Sequence, residues 1–368
     1  MPITTTRITA DTAQVTVSSN RTTPITWIPR YLSQWRTTAP APAGDADPLT
    51  SALTLQATVD KSRAGVIADA VIERGHRPAR YAGADLLLTQ VHGGPIYAVQ
   101  PNGHLAYHYC PDTRHLQLSG LDDIAVALAA VRLTRDMIRA QLQSTGWTLL
   151  RMAAVVKDGR ALLITGASDR ATTAAALHLA TTGWHLLALD RVFARSRPGG
   201  GLDLLPWPAS AQISLGLLDD LKLYEHVRRC AQAGERLHPD QDPNTDHALA
   251  SETRMHVRDL TCRFYPDQLR TWLRLTPATE GTAAGILLPR TSPGTTRTDG
   301  TRLHDVLVTT ETDDRYPDVF GLGAAPRPEQ TAAVRQALEA LPHWHVPVVP
   351  GTRARADIFT VAEHLVAG

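Results

Sequence analysis

Lysine is nearly absent from this chain, which bears on any chemistry that uses ATP. Of the 37 lysine and arginine residues, only Lys61, Lys157 and Lys222 are lysines. Phosphate-binding loops of nucleotide-hydrolysing enzymes use a lysine to reach the β- and γ-phosphates. A chain with three lysines offers few candidates for that role. Lys157 is the one that lies close in sequence to the candidate loop described below.

The chain also lacks an excess of charge of one sign. Lys and Arg total 37 and Asp and Glu total 36, so the net charge does not indicate binding to nucleic acid or to an anionic membrane. No apolar run approaches the ~20 residues that span a bilayer, and the N-terminus shows no secretory signal pattern. Three widely spaced cysteines favour reduced thiols over a disulfide framework. We therefore expect a soluble cytoplasmic protein that binds neither nucleic acid nor membrane.

A chain of 368 residues is long enough for two domains. We place their boundary near residues 144–146, after Leu121 to Gln143, which has the pattern of a long amphipathic helix with acidic residues at its start. Residues 1–145 are predicted to form an α+β domain, and residues 146–368 an α/β domain around a mixed β-sheet. In the first domain, Asn102-Gly103 predicts the turn of a β-hairpin.

Two stretches of the second domain have a distinctive composition. Leu217 to Gln232 has helical spacing and is predicted to form one helix. Thr276 to Thr301 is rich in Gly, Pro, Thr and Ser. That composition predicts a mobile loop, since such a length without structure more often forms a lid than a packed element.

The most informative segment follows an apolar strand in the second domain. The strand, Ala161 to Thr165, leads into Gly166, and an alanine-rich helix, Thr172 to Thr182, leads out. This order of strand, loop and helix is the context of a phosphate-binding P-loop. In the pattern G-x-x-x-x-G-K-[ST], however, the second glycine is Ala171 and the lysine is Thr172. The scaffold predicts nucleotide chemistry, but the residues that perform it are replaced.

The stretch Leu150 to Val192 resembles the HPr kinase/phosphorylase-like group, which shares its core with phosphoenolpyruvate carboxykinases. Members of that group have a strand carrying a histidine, an Asp-Gly turn, the loop G-x-S-G-x-G-K-S-T and a later strand ending in two aspartates. The matching segments are Leu150 to Val155, Asp158-Gly159, Gly166 to Thr173 and Gly183 to Asp190. Leu341 to Ile358 and, more weakly, Tyr31 to Pro40 are similar to the actinobacterial branch. The resemblance implies an HPr-kinase-like core with a mixed β-sheet and a degenerate P-loop.

Several positions depart from the pattern of that group. Its histidine, linked in the family to phosphoryl transfer, is Arg151 here. Two loop glycines are Asp169 and Ala171, which narrows the conformations that bring backbone amides onto phosphate. The lysine is Thr172, and the first of the paired aspartates is Leu189. One positioned donor at developing negative charge is worth about 3–4 kcal/mol, so the combined losses argue against phosphoryl transfer from MgATP.

The loop has instead gained arginines that suit a tetrahedral anion. Arg151 is expected at a strand end close to the loop, and Arg170 lies inside it. The guanidinium fork matches sulfate or phosphate, and a helix N-terminus adds backbone N–H donors. The predicted anion-binding residues are Gly166, Ser168, Arg170, Thr172 and Thr173. The alternative is a vestigial loop stabilised by ordinary capping, in which Asp169 caps the helix or pairs with Arg170.

Asp190 and Arg151 are the predicted catalytic residues. On this hypothesis Arg151 and Arg170 neutralise a sulfate or phosphate group as it transfers or departs, and Asp190 is the base for an attacking amine or hydroxyl. Ring closure with the anion as leaving group is one chemistry that this arrangement permits without ATP. The candidate substrate-binding residues are Arg191, Arg353 and Arg355. A surface ion pair with Asp190 is the alternative for Arg191, and solvated side chains are the alternative for the other two.

The expected function is that of a repurposed HPr-kinase-like enzyme of bacterial specialised (natural-product) metabolism. Its substrate would be a small molecule or a carrier-protein-bound intermediate that bears sulfate or phosphate. A nucleotide carrying such a group is the candidate cofactor, and no metal is assigned. A partner enzyme or a homo-oligomer is the expected partner. The alternatives are a non-catalytic, pseudokinase-like subunit that binds a peptide or carrier-bound intermediate, and an atypical ATP-dependent kinase that uses Arg170.

Two further patterns have the residue types of metal sites. His104, His108 and Cys110 share one face of a predicted strand. Zinc takes about four ligands and usually draws them from a turn or helix, so a hairpin face is the favoured interpretation. Residues 240–246 alternate acids like the start of a calcium loop, but Pro243 interrupts the pattern. A solvated loop is expected there.

Trp27, Tyr31 and Trp35 form an aromatic group near the start of the chain. Their four-residue spacing places them on one face of a helix if the nearby prolines allow one. They are interpreted either as a docking surface for a peptide or carrier protein, or as a cluster that packs the small domain.

Overall fold

The computed structural model describes residues 3–39, 41–42, 53–91, 93–166, 169–235, 237–251, 258–290, 296–298, 317–323, 327–347 and 358–364. The chain divides into two units. Unit 1 comprises residues 1–146 and 309–326, and unit 2 comprises residues 147–308 and 327–368. The chain passes into unit 2 after Gly146, and the described segment 317–323 returns to unit 1. The sequence analysis, which assigned residues 146–368 to one domain, did not anticipate this return.

Unit 1 is built on a large mixed β-sheet. Its strands are β1 (Thr4–Ala10), β2 (Ala13–Ser19), β3 (Arg36–Thr37), β4 (Ala41–Pro42), β5 (Leu53–Val59), β6 (Arg77–Tyr81), β7 (Ala84–Gln90), β8 (Ile96–Gln100), β9 (Leu105–Cys110) and β10 (His115–Gly120). Its helices are α1 (Thr22–Tyr31), α2 (Lys61–Glu73) and α3 (Asp123–Ser144). The strand order is β3-β1-β2-β5-β10-β9-β8-β7-β6, with β4 also paired to β1. β5 runs parallel to β2 and β10.

Alternating side chains build the buried face of this sheet. Ile8, Val15 and Val17 are fully buried while their neighbours along β1 and β2 are partly exposed, as the two-residue period of a strand requires. Helices α1 and α3 pack together, and α3 packs on β2 and β5. The predicted long helix is confirmed as α3. It begins after Asp122, whose carboxylate accepts the N–H of Ala125 at 2.8 Å, as an N-cap does.

The hairpin predicted from Asn102-Gly103 is present, but its turn has another form. β8 and β9 are antiparallel neighbours. Pro101–Gly103 forms a 3₁₀ turn, and His104 rather than a glycine takes the left-handed conformation, with φ of 49°. Proline's restricted φ suits the first position of such a turn, so the loop is longer than the two-residue turn that the sequence suggested.

The aromatic group near the N-terminus is part of the core of unit 1. Trp27, Tyr31 and Trp35 are only 3%, 5% and 5% exposed. The rings of Trp27 and Tyr31 lie 6.1 Å apart on α1, which continues through Pro29. The interpretation as a docking surface is therefore wrong, and the packing interpretation is confirmed.

Unit 2 contains a second mixed sheet. Its strands are β11 (Thr148–Leu150), β12 (Ala153–Lys157), β13 (Arg160–Ile164), β14 (His185–Ala188), β15 (Val192–Ser196), β16 (Leu202–Pro206), β17 (Ala211–Ser214), β18 (Thr261–Phe264), β19 (Gly281–Arg290), β20 (Thr296–Thr298) and β21 (His343–Pro347). Its helices are α4 (Asp169–Ala180), α5 (Leu215–Asp220), α6 (Tyr224–Gln232), α7 (Pro243–Ala250), α8 (Pro266–Thr271), α9 (Pro328–Ala340) and α10 (358–364). The strand order is β11-β15-β16-β19-β13-β12-β14, with β21 beside β19 and β20 beside β21, while β17 and β18 form a separate pair.

Apolar residues cover both faces of the main sheet of unit 2. Along β12, Ala153 and Val155 belong to one buried cluster, whereas Ala154 and Val156 belong to another. Helix α4 contributes to the first cluster and α9 to the second. Since both faces are buried, the strands have continuous apolar sequences. The protein is thus a mixed α/β protein with large mixed sheets.

The stretch from Thr276 to Thr301, predicted to be a mobile loop, contains a central strand. β19 lies between β16 and β13, and its Ile286 and Leu287 are fully buried in opposite clusters. At Gly281 an added Cβ would lie 2.9 Å from Cγ2 of Val156. The small residues that suggested a loop allow close packing here, so the prediction is wrong for 281–290.

The single helix predicted from Leu217 to Gln232 is also wrong, because the chain breaks between α5 and α6. Lys222 has a left-handed φ of 64°, which ends α5 and starts a new direction for α6. Neither these helices nor any other in the described part of the chain combine the length and apolar character needed to cross a membrane.

Candidate functional site

The main sheet of unit 2 brings three predicted site segments to one edge. β12 starts where its antiparallel neighbour β13 ends. β14 is antiparallel to β12 and ends at the same edge. Arg151 precedes β12, Gly166 follows β13 and Asp190 follows β14. Loops at the carboxyl ends of strands are the usual location of ligand sites in α/β sheets, and the topology places the candidate residues there.

Arg151 faces the N-terminus of α4. Its Nη2 donates to Oδ2 of Asp169, the first residue of that helix, at 2.8 Å. Asp169 therefore pairs with Arg151, whereas the alternative interpretation of a vestigial loop had it cap the helix or pair with Arg170. A carboxylate at a helix N-terminus is stabilised by the helix dipole. The side chains are 50% and 79% exposed, so the pair contributes about 0–1 kcal/mol.

Arg170 has a different partner. Its Nη1 lies 3.7 Å from Oδ1 of Asp259, just before β18, and both side chains are largely exposed. The two arginines of the predicted anion site thus bind separate carboxylates. A single anion that contacted both Arg151 and Arg170 would require these ion pairs to open. Asp259 was not identified from the sequence, and no local pattern marks it.

The threonines of the loop region differ in access. Thr172, at the position where the P-loop pattern has lysine, is 8% exposed, whereas Thr173 is half-buried. Gly166 is exposed, and an added Cβ there would lie 3.3 Å from the carbonyl oxygen of Pro289 on β19. Ser168 lies outside the described residues, as do Arg353 and Arg355. Within the described part of the loop region, Thr173 and Gly166 are the more accessible of these three positions.

Lys157 lies at the opposite end of the sheet from the loop. It is paired with Arg160 across the turn that joins β12 to β13, about 13 Å from the far end of β13 at ~3.3 Å per residue. Its Nζ lies 2.8 Å from both carboxylate oxygens of Glu363. The lysine nearest to the loop in sequence therefore does not replace the missing one.

Asp190 and Arg191 form a local ion pair. Nε of Arg191 lies 3.5 Å from Oδ2 of Asp190, and the arginine side chain is 13% exposed against 60% for the aspartate. The pairing that was the alternative interpretation for Arg191 is thus present. Leu189, at the position that the resemblance aligned with the first of two aspartates, packs against the apolar cluster of α4. That position now serves packing rather than the site.

The charges of these side chains balance. Arg151, Arg170 and Arg191 face Asp169, Asp259 and Asp190 in three ion pairs. The formal charge of these six described side chains is therefore zero, so together they exert no net attraction on a distant anion. Binding of an anion here depends on replacing one of the carboxylates.

The patterns with metal-ligand residue types serve structure. His108 stacks on Tyr97 with ring centroids 4.5 Å apart. Asp242 accepts the N–H of Asn244 at 2.7 Å and caps α7, so residues 240–246 lead into a helix and are not the solvated loop that was expected. Within the described ranges, no group of three or more His, Cys, Asp and Glu side chains is arranged to hold a metal ion.

Comparison of the chain with models of known protein families found no match. Comparison with curated proteins found none either.

Proposed function

We propose that this protein is a repurposed member of the HPr kinase/phosphorylase-like group, with a degenerate P-loop between β13 and α4. It binds a sulfate or phosphate group of its substrate beside Arg151 and stabilises that anion during transfer or elimination. It does not transfer phosphate from MgATP. The observation that carries the proposal is the hydrogen bond between Arg151 and the Asp169 carboxylate at the start of α4.

A carboxylate in that position supports an oxyanion site. The guanidinium of Arg151 and the N-terminus of α4 favour the same charge that sulfate or phosphate carries. Because the existing pair is half exposed and weak, a substrate anion that is bound through its other groups can displace Asp169 at small cost. The side chain of Asp169 is 79% exposed, so it can rotate into solvent when the anion binds.

The chemistry follows from the same edge of the sheet. Asp190 takes the proton of an attacking amine or hydroxyl, and the new bond to carbon forms as the carbon–oxygen bond to sulfate or phosphate breaks. The bonding electrons leave with the anion, whose charge Arg151 offsets. Arg191 keeps the Asp190 carboxylate in place. When both reacting groups belong to one molecule, the product is a ring.

The biological setting of the proposal is specialised bacterial metabolism in the cytoplasm. The substrate is a small molecule or an intermediate on a carrier protein, and its sulfate or phosphate group is bonded through oxygen to the carbon atom that is attacked. A partner enzyme or a second copy of the chain completes the assembly. A reaction with ATP would lack the P-loop lysine. Thr172 stands at that position and is buried, and Lys157 is bound to Glu363 at the other end of the sheet.

Calorimetry on the full chain tests the proposal with four probes. They are sodium sulfate, adenosine 3′,5′-bisphosphate (PAP), its sulfated form 3′-phosphoadenosine 5′-phosphosulfate (PAPS), and MgATP. We expect sulfate or its nucleotide carriers to bind, and Arg151→Gln to weaken binding about tenfold, the effect of losing a hydrogen bond between charged groups. Asp169→Asn should strengthen binding, because it removes the competing charge and keeps the side-chain size. Arg80→Gln, which removes an exposed arginine paired with Asp85 in unit 1, is the matched control and should change nothing.

The second candidate is a non-catalytic, pseudokinase-like subunit that binds a peptide or carrier-bound intermediate. The charge balance of the three ion pairs favours it, since each of the described site arginines, Arg151, Arg170 and Arg191, already has a carboxylate beside it. If neither the wild type nor Asp169→Asn binds any of the anions, this candidate replaces the first. Binding of MgATP with release of its γ-phosphate would instead support an atypical kinase.

A further inference from the structure

Unit 1 contains a cavity of about 340 Å³ between helix α3 and the returning segment 317–323. Tyr81, at the end of β6, completes its wall. The volume is at the lower end of the range of small-molecule sites, about 300–1,000 Å³. Apolar side chains, including Val319 and Phe320, line the cavity together with a few polar groups, which is the usual make-up of a ligand pocket.

The charged side chains that line the cavity already serve contacts within the protein. The hydroxyl of Tyr81 donates to Oδ2 of Asp136 at 2.6 Å. The carboxylate of Asp318 accepts two backbone N–H groups of its own segment, at 2.8 and 3.2 Å. Arg139 also takes part in an interaction within the protein. These groups therefore build the wall of the cavity, and we do not expect an ionic ligand to pair with them.

Gln143 is the lining residue whose polar group has no such contact among the described residues. Its side-chain amide makes no hydrogen bond to another residue of the described ranges, although Gln143 lines the cavity and is only 7% exposed. Asp136, Ala140 and Gln143 follow one another at helical spacing, so all three lie on the face of α3 that borders the cavity. Buried polar side chains nearly always have a hydrogen-bond partner in the protein or in a bound molecule. The partner of this amide is therefore expected inside the cavity.

The segment that covers the cavity is held by its own packing. Phe320 lies edge-on against Tyr81, with ring centroids 6.0 Å apart. Gly323 lies so close to α3 that an added Cβ would be 2.5 Å from Cβ of Ala140. These contacts need no ligand, so the cavity is preformed.

We propose that this cavity binds a small uncharged molecule that carries a carboxamide or lactam group. The amide of Gln143 offers a carbonyl acceptor and an N–H donor side by side, and a ligand amide offers the same two groups in the opposite order. The N–H of the ligand donates to Oε1 of Gln143, and Nε2 of Gln143 donates to the carbonyl of the ligand. The apolar part of the ligand lies against Val319 and Phe320. This proposal does not depend on the function proposed for the loop of unit 2.

Calorimetry on the full chain, with δ-valerolactam and benzamide as probes, tests this proposal. Each is compared with a ketone of similar shape, cyclohexanone or acetophenone, which keeps the carbonyl but has no N–H. We expect at least one amide to bind and its ketone to bind about tenfold more weakly, because the ketone leaves Oε1 of Gln143 buried without a donor. If neither amide binds, water alone satisfies Gln143 and the proposal is wrong. Equal binding of an amide and its ketone would also overturn it.

A substitution at Gln143 tests the assigned contact. Gln143→Met removes the amide at nearly the same side-chain length, so it should lower the affinity for the amide to that for the ketone and leave ketone binding unchanged. Gln336→Met makes the same change at an exposed position of α9 and should keep the tenfold preference. Far-UV circular dichroism verifies that both variants fold. A preference that persists in folded Gln143→Met would refute the contact.

A second variant locates the binding independently of Gln143. Val319→Trp fills the cavity from the covering segment and keeps every polar group, so it should abolish binding of the amide probes. Unchanged affinity in folded Val319→Trp would show that the amide binds elsewhere and would refute the assignment.

Discussion

Lys157 and Glu363 form an ion pair across 206 positions of the sequence. Nζ of the lysine lies 2.8 Å from each oxygen of the carboxylate. The same ammonium lies 5.9 Å from the rings of Trp184 and Phe359, within reach of a cation–π interaction. The contact joins α10 to the turn between β12 and β13, and it engages the lysine that is nearest to the loop in sequence but lies at the other end of the sheet.

We expect Lys157→Met to lower the free energy of unfolding by about 1 kcal/mol, because both partners are about one-third exposed and solvent screens the pair. The measurement is urea unfolding followed by circular dichroism. Lys61→Met is the matched control, since Lys61 lies exposed at the start of α2. Equal changes in the two variants would show that the Glu363 contact does not form in solution.

Introducing a lysine at the position where the P-loop pattern has one should not produce kinase activity. Thr172 is 8% exposed, so Thr172→Lys must bury a charge or displace α4, and we expect a loss of stability of about 1–3 kcal/mol. Thr173→Lys, at the half-buried neighbouring position, should cost less. Urea unfolding compares the two variants, and a phosphate-release assay with MgATP should detect no turnover in either. Turnover by Thr172→Lys would show that a side chain at position 172 reaches a bound phosphate, contrary to the burial of Thr172.

Replacement of Gly323 and of Gly65 by alanine should have opposite effects on the free energy of unfolding. An added Cβ at Gly323 would lie 2.5 Å from Cβ of Ala140, whereas at Gly65 in α2 no heavy atom lies within 4 Å. Gly323→Ala should therefore destabilise unit 1 by about 1–3 kcal/mol through overpacking, and Gly65→Ala should stabilise it by about 0.5–1 kcal/mol through helix propensity. Chemical denaturation measures both. A neutral Gly323→Ala would mean that segment 317–323 does not pack on α3.

His115 should make stability depend on pH. Burial, then the charge of Arg63 and then His108, lower its pKa from the ordinary value of 6.5, and its Nδ1 lies 2.7 Å from Oγ1 of Thr54. The folded state thus binds fewer protons than the unfolded state below pH 6.5, so this group's contribution is complete above that value and falls as pH decreases through the lowered pKa.

The corresponding experiment compares unfolding free energies between about pH 7 and pH 5. His115→Gln should flatten the decrease toward acid, and His76→Gln, at an exposed position after α2, should leave it unchanged. A decrease as steep in His115→Gln as in the wild type would assign the dependence to other groups.

The elements that were predicted correctly are those whose sequence signal lies in their own residues. The periodicity and acidic start of Leu121 to Gln143 predicted α3. The order of strand, loop and helix around Gly166 was also visible, because β13 is apolar and α4 is rich in alanine. Each of these signals reports burial along one element.

The prediction for residues 276–301 failed for a reason outside the segment. Position 281 requires glycine because Val156 lies beside it and leaves no room for a side chain. The residues next to Gly281 in the sequence do not indicate that neighbour. In the same way, the break at Lys222 depends on a left-handed residue that the helical spacing of its flanks conceals. Composition alone cannot separate a loop from a strand that requires small side chains.

By itself, the sequence determined that the strand, loop and helix pattern around Gly166 has Thr172 where a P-loop has lysine, and that arginines stand at positions 151 and 170, since the identity and order of residues are sufficient for both statements. Only the tertiary structure decided that Arg151 bonds to Asp169, that Arg170 turns to Asp259 and that Leu189 enters the core. Those outcomes depend on sheet register and on contacts between segments that are distant in the sequence. The sequence around an arginine does not indicate which carboxylate will lie next to it in the folded protein.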